Sequence, residues 1–205
     1  MKKALIGRKL GMTQFTAEDG KVIPVTVCEL GPCVVVQKKT VEKDGYSALK
    51  LGYVDVKESK LTLPISKDLK KKNLPMKRIF REIETFDASL EIGAEIKCGI
   101  FAENDNVNII GVSKGKGFQG VIKRHGFSGG RSTHGSKFHR APGSIGAHTY
   151  PAEVWKGQKM PGRHGSKTIT VKNLKIVKIM EEENIVLISG AIPGTKYSLI
   201  TVSKN

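Results

Sequence analysis

Residues 111–168 read GVSKGKGFQGVIKRHGFSGGRSTHGSKFHRAPGSIGAHTYPAEVWKGQKMPGRHGSKT, and this stretch decides how the rest of the chain is organised. It contains 13 glycines, 11 lysines and arginines, all five histidines and one carboxylate, Glu153. Its net charge is +10 of the chain's +16. A stretch with so many glycines and so few aliphatic side chains cannot offset the entropy lost on folding by burying a core. It therefore predicts an external partner, and its charge indicates a polyanion.

The remainder of the chain has the composition of a small folded domain. A length of 205 residues predicts one or two domains, and the residues outside 111–168 suffice for one packed core. A pI near 9.8, with the charge gathered in one segment, is typical of a protein that binds nucleic acid. A basic surface that served only solubility would spread its lysines over the whole chain.

The N-terminus and the cysteines indicate where the protein works. The first apolar stretch stops at Arg8, too early for a signal peptide, and no run approaches the ~20 apolar residues of a membrane span. These features predict a protein of the cytoplasm, or of an organelle that makes its own proteins, with no membrane partner. Cys28, Cys33 and Cys98 are odd in number and lack metal-ligand spacing, which predicts reduced thiols.

Outside the basic stretch, alternating apolar residues and turn signals predict a mainly β domain, a small barrel or sandwich. A short helix is predicted from Ser66 to the residues before Pro75, with Ser66 as its N-cap. The basic stretch leaves one strand near Val112 and rejoins another near Thr168, so it is an insertion into the β domain. Strands are predicted over residues 4–16, 22–30, 33–40, 46–56, 90–101, 107–112, 169–179, 185–189 and 197–202.

Gly115, Gly117 and Gly120 form the pattern G-x-G-x-x-G after a predicted strand and before a possible short helix. A dinucleotide site also requires βαβ alternation and an acidic residue about 20 positions further on, and both are missing. The glycines instead predict backbone N–H groups that a phosphate can approach, with lysines beside them. No cofactor and no small-molecule substrate are expected.

The five histidines, at positions 125, 134, 139, 148 and 164, match no zinc-binding pattern, and Glu153 is the only carboxylate near them. Neither a metal site nor a catalytic residue is therefore predicted. Histidines and aromatic rings interleaved with cations favour contacts with the splayed bases of folded RNA. For Phe118 and Phe127 the sequence leaves two roles open, core anchors or stacking platforms.

Two sets of residues are predicted to bind this RNA. The set for phosphate neutralisation comprises Lys114, Lys116, Lys123, Arg124, Arg131, Lys137, Arg140, Lys156, Lys159, Arg163 and Lys167. The set for contacts with bases or sugars comprises His134, His139, His148, Tyr150 and Trp155.

Four segments resemble the bacterial-type ribosomal protein L-three family of the large subunit: IGRKLGMTQ, GVSKGKGFQGVIKRHGFSGG, HGSKFHRAPGSIG and KGQKMPGRHG. The resemblance extends over essentially the whole chain. It implies an antiparallel β-barrel of the kind found in translation proteins, formed by residues 1–110 and 169–205, with a small helical insertion at about 61–90. It also implies that residues 111–168 form a long, glycine-rich, basic extended loop that penetrates rRNA.

The resemblance also implies a function without catalysis. Members are structural constituents that bind 23S-type rRNA directly, assist early subunit assembly and neighbour other large-subunit proteins. The tip of the extension, Ser144–Glu153, is expected to approach the peptidyl transferase centre. Many bacterial members carry a methylated glutamine where this chain has Thr149, which argues against that modification here.

Two other functions use the same residues. An RNA-processing enzyme would need a pair of loop histidines, such as His134 and His139, acting in concert. A regulator that binds its own message would use the same basic patch.

Overall fold

The computed structural model describes residues 3–84 and 90–204. The chain divides into two compact units. The first, the β unit, comprises Met1–Val112 and Thr168–Asn205, and the second, the basic unit, comprises Ser113–Lys167.

Within the described residues the chain is mainly β, as the sequence predicts. The strands are β1 (Lys3–Thr16), β2 (Val22–Leu30), β3 (Cys33–Lys39), β4 (Ala48–Asp55), β5 (Lys77–Glu84), β6 (Glu95–Ile96), β7 (Asn106–Val112), β8 (Phe118–Gln119), β9 (Gly162–Arg163), β10 (Thr168–Met180), β11 (Ile185–Ser189) and β12 (Leu199–Lys204). The helices are α1 (Val41–Asp44), α2 (Leu63–Lys71) and α3 (Val121–His125), with 3-10 turns at Glu58–Lys60 and Cys98–Ile100.

Six antiparallel strands close into a barrel in the order β1-β12-β7-β10-β11-β2. Burial alternates along β7 and β12, so one face of these strands is buried inside the closed barrel. Leu5, Ile109, Ile176, Ile188 and Val202 are fully buried in its core. The predicted antiparallel barrel is therefore confirmed. Because β7 and β10 are neighbours, with Val112 opposite Thr168, the basic unit leaves and re-enters the barrel on paired strands.

The buried Lys9 of β1 forms a hydrogen bond to the loop that follows β11. The register of β1 against β2 shifts between Lys9 and Gly11. The Lys9 side chain is buried, and its Nζ donates to the carbonyl of Ile192 at 3.0 Å. Lys9 also accepts a backbone bond from Tyr197 N at 2.7 Å, so this position organises the chain just before β12.

The strands predicted over 33–40 and 46–56 do not join the barrel. Strands β3 and β4 belong instead to a separate four-stranded sheet with the order β5-β4-β3-β6. One face of this sheet contributes Val34 and Val36 to a small core with Leu69 of α2 and with Leu74. The strand predicted over 90–101 is reduced to β6, because Ala94 N bonds to Glu91 O in a turn before it and the 3-10 turn Cys98–Ile100 follows it.

The insertion predicted at about 61–90 is helical only in part. Helix α2 begins earlier than predicted, because Pro64 occupies its first turn, where the fixed φ of proline and its missing N–H are tolerated. Ser66 is therefore not the N-cap; it is buried inside the helix and its Oγ donates to Leu63 O at 3.1 Å. Lys77–Glu84 forms β5, and residues 85–89 lie outside the described part of the chain.

All three cysteines are free thiols buried in the β unit. Burial raises the pKa of Cys28 to about 12 and that of Cys33 to about 11, so both remain protonated at neutral pH. Over residues 3–84 and 90–204, the helices are all too short or too polar to cross a membrane.

Candidate nucleic-acid interface

The basic unit begins and ends on a short antiparallel ladder. Phe118 of β8 lies opposite Arg163 of β9. Backbone bonds continue the pairing from Lys116 N to His164 O at 2.9 Å and from Ser113 N to Lys167 O at 2.9 Å. The ladder thus brings lysines and arginines from both ends of the 55-residue segment onto one narrow ribbon.

The glycine pattern serves this ribbon rather than a nucleotide. A Cβ on Gly165 would collide with the backbone carbonyl of Lys114 and lie 3.0 Å from Gly115 Cα, so the two sides of the ribbon approach each other closely at these glycines. Gly120 precedes a five-residue helix, and β8 is two residues long. The surroundings are therefore not the βαβ unit that a dinucleotide fingerprint requires.

Two side chains of helix α3 contact the same backbone carbonyl, that of Met160, in the segment that leads back to β10. Arg124 Nη1 donates to Met160 O at 2.5 Å, and His125 Nε2 lies 3.0 Å from the same oxygen. Val121, on the same helix, is the one buried residue of the basic unit. Part of the hydrogen-bonding capacity of Arg124 and His125 is therefore used within the basic unit.

A second close approach shapes the middle of the unit. Gly130 N donates to His139 O at 3.3 Å. A Cβ on Gly129 would collide with that same carbonyl, and one on Gly130 would collide with Phe138 O. The Gly-Gly pair lets two backbone segments cross in contact, and Arg131 and Arg140 follow directly after the two crossing segments.

The tip of the basic unit and its flanks, residues 137–159, are exposed along their whole length. Tyr150 is 90% exposed and Trp155 is 66% exposed, far more than rings that pack in a core. Local hydrogen bonds still shape this tip: Ser144 Oγ donates to Gly146 O at 2.8 Å, and Gln158 N donates to Trp155 O at 3.2 Å.

The lysines and arginines of the basic unit make no ion pair with any residue that the structure describes. Among residues 3–84 and 90–204, the ion pairs all lie in the β unit. Partial burial, followed by the positive charges of Lys116, Lys123, Arg124 and Lys167, lowers the pKa of His164 below its ordinary value of 6.5. The charges of four cations thus act together at His164 on the ribbon.

The structure places the predicted residues in three groups. The ribbon and α3 carry Lys114, Lys116, Lys123, Arg124, Arg163 and Lys167. The Gly-Gly crossing carries Arg131, His134, Lys137, His139 and Arg140, and the tip together with the residues that follow it carries His148, Tyr150, Trp155, Lys156 and Lys159. All sixteen are exposed except Arg124, which is partly buried.

Sequence reasoning missed two residues of this surface. For Phe118 the sequence left a core anchor and a stacking ring open; its ring is 76% exposed on the ribbon, whereas Phe127 is partly buried. His164 was not singled out, and only the pairing of β8 with β9 brings it near the lysines of the opposite strand. Alternation within a two-residue strand is too short a signal to predict either placement.

The arrangement suits the binding of a polyanion, with exposed rings between unpaired cations. The described residues contain no group of three or more His, Cys, Asp or Glu side chains that could hold a metal ion. The long extended loop is not confirmed in the form expected, because residues 113–167 form a compact unit with their own ladder and helix.

Comparison with known families agrees with this arrangement. A family model described as Ribosomal protein L3 matches residues 78–184, a little over half of the chain, and the match includes the whole basic unit and the strands on either side of it. The chain therefore belongs to the ribosomal protein L3 family, whose members are structural constituents of the large ribosomal subunit.

Proposed function

We propose that this chain binds large-subunit rRNA directly and that the basic unit is its main RNA-binding surface. One observation carries the proposal. The unit holds eleven lysines and arginines on 55 residues, with no ion pair to any described residue. Unpaired cations at this density repel one another, and RNA phosphates relieve that repulsion while releasing counterions.

The three groups have different roles in this proposal. The ribbon and the Gly-Gly crossing supply charge for phosphates, since lysine and arginine side chains surround an accessible backbone there. The tip and the residues that follow it supply rings for stacking on unpaired bases, because Tyr150 and Trp155 are exposed and flanked by His148 and Lys156. Phe118 joins the stacking set.

We further propose that the tip, Ser144–Glu153, lies toward the peptidyl transferase centre, and that the chain assists early assembly of the large subunit beside neighbouring ribosomal proteins. The family's extension supports this placement. Peptide transfer itself would require no residue of this chain, because the RNA carries it out.

Crosslinking of the assembled subunit tests the proposal. Ultraviolet crosslinks to rRNA, mapped to residues by mass spectrometry, should fall predominantly within 113–167. The exposed loops around α2 serve as an internal comparison. Deletion of Ser128–Lys159 should leave the β unit folded by circular dichroism and weaken rRNA binding. Crosslinks spread evenly over the surface, or a deletion that binds rRNA unchanged, would contradict the assignment.

Assays on the purified chain distinguish RNA binding from an RNA-processing activity. A purified chain that cleaves or modifies RNA, and loses that activity in His134→Ala or His139→Ala, would require an enzymatic role instead. Competition between the chain's own message and rRNA for the same sites would indicate a regulatory role.

A further inference from the structure

Strand β5 lies at an edge of the four-stranded sheet and is long for an edge strand. Among the residues that the structure describes, it pairs only with β4, through a register that runs from Asp55 opposite Lys77 to Ala48 opposite Glu84. In an antiparallel pair, every second residue of the edge strand directs its N–H and C=O away from the sheet. Over the described chain, no backbone hydrogen bond reaches the outer side of β5.

An apolar groove of about 390 Å³ runs beside this edge. Ile79 and Arg81 of β5 line one side, and the outer face of the barrel supplies Ile110, Val112 and Leu199 on the other. Ile110 is 37% exposed and Val112 is 47% exposed, although both are large aliphatic side chains on a folded domain. The groove therefore combines unpaired backbone groups with uncovered apolar surface.

Two charged side chains line the groove, and only one of them is already paired. Glu82 is bound by Lys39 Nζ at 3.0 Å and by the Tyr46 hydroxyl at 2.7 Å. Arg81 lies opposite Leu51 on the apolar face of the sheet, and no ion pair to it occurs within the described residues. The net charge that the groove offers an occupant is therefore positive and is located at Arg81.

We propose that an extended segment of a neighbouring protein adds a strand to β5, with alternate aliphatic side chains against the barrel wall and a carboxylate facing Arg81. Main-chain hydrogen bonds would supply affinity, and the apolar wall and Arg81 would supply specificity, as in other cases of strand addition. The inference deepens the proposed function and rests on it, because it presumes that the chain has protein neighbours in the ribosome.

The chemistry of the groove favours a protein strand over RNA. RNA would bring phosphates to a surface with a single unpaired cation and would leave Ile110 and Val112 against polar groups. A peptide strand satisfies the backbone row of β5 and covers these aliphatic side chains in one step. An inward-pointing charge at a sheet edge can also act as a guard against pairing, and the experiment below distinguishes the two roles of Arg81.

The test measures binding of a short fluorescein-labelled peptide, alternating valine and threonine around one central aspartate, to the full chain by fluorescence anisotropy. We expect saturable binding that Arg81→Glu weakens by roughly tenfold or more and that a lysine-centred peptide restores in the same variant. Arg78→Glu is the matched control. It makes the same change of charge as Arg81→Glu on the same strand, but Arg78 lies on the opposite face of the sheet. Amide exchange in β5 should slow when the peptide binds.

Three results would overturn the inference. The first is the absence of peptide binding at millimolar concentration. The second is self-association of the Arg81→Glu or Arg81→Gln chain, which would identify Arg81 as a guard. The third is that an rRNA fragment slows amide exchange in β5 while the peptide does not. These readouts are separate from RNA affinity, so failure here leaves the proposed rRNA contact of the basic unit untouched.

Discussion

Removing three lysines from the ribbon of the basic unit should reduce the salt dependence of rRNA binding by a predictable amount. Lys114, Lys116 and Lys167 are exposed, lie on the paired ends of the unit and form no ion pair with a described residue. Their replacement by glutamine removes the charge and keeps a flexible, polar side chain that is one atom shorter. The ladder itself should persist, because backbone groups form its hydrogen bonds.

The expected magnitude follows from the number of free cations. Ten of the eleven lysines and arginines in the unit are exposed, and Arg124 is engaged with Met160 O. If all ten meet phosphates, the slope of log K against log salt approaches about −9 for a duplex or about −7 for single strands. The triple variant should make that slope shallower by about 2.7 or about 2.1, respectively.

Filter binding of an rRNA fragment at several salt concentrations measures the slope. The matched control is Lys57→Gln, Lys67→Gln and Lys71→Gln, three exposed lysines of the β unit that form no ion pair with a described residue. The control should leave the slope unchanged. The reasoning fails if the ribbon variant keeps the full slope, or if the control variant loses as much as the ribbon variant does.

Three other perturbations test single contacts. In a proton NMR titration, His164 should titrate below 6.5 in the free chain, and its pKa should rise in the rRNA complex because phosphates offset the surrounding cations; an unchanged pKa would place the RNA elsewhere. Since the folded-state pKa is depressed, the contribution of His164 to stability is present above pH 6.5 and is lost as the pH falls through the folded-state value. Arg124→Met removes the charged bond to Met160 O, and amide exchange in α3 should report about 1.5–3 kcal/mol less protection while barrel amides are unaffected; equal exchange would show that His125 holds the helix alone. Ile109→Ala empties a fully buried site and should lower the free energy of urea unfolding by about 2–5 kcal/mol, and a loss below 1 kcal/mol would contradict the barrel packing.

Much of the β unit is predictable because its signals are local. Val22–Leu30 and Ile185–Ser189 alternate or cluster β-branched residues between turn residues, and both strands are found where the pattern predicts them. The predicted strand over 90–101 is wrong because apolar content alone does not distinguish a strand from the backbone turns around Gly93. Ser66 fails as a predicted cap because Pro64 starts α2 earlier.

The concentration of positive charge in one segment can be read from the sequence alone. Eleven cations, one carboxylate and 13 glycines between 111 and 168 indicate a polyanion-binding segment without any knowledge of the fold. Contacts between distant residues are different, because they depend on which strands pair. No local pattern predicts that β1 neighbours β12, that β3 and β4 leave the barrel, or that β5 keeps a free edge beside Ile110. Hydrogen bonds and burial between segments far apart in sequence decide these features, and they also engage Arg124 with Met160 and expose Phe118.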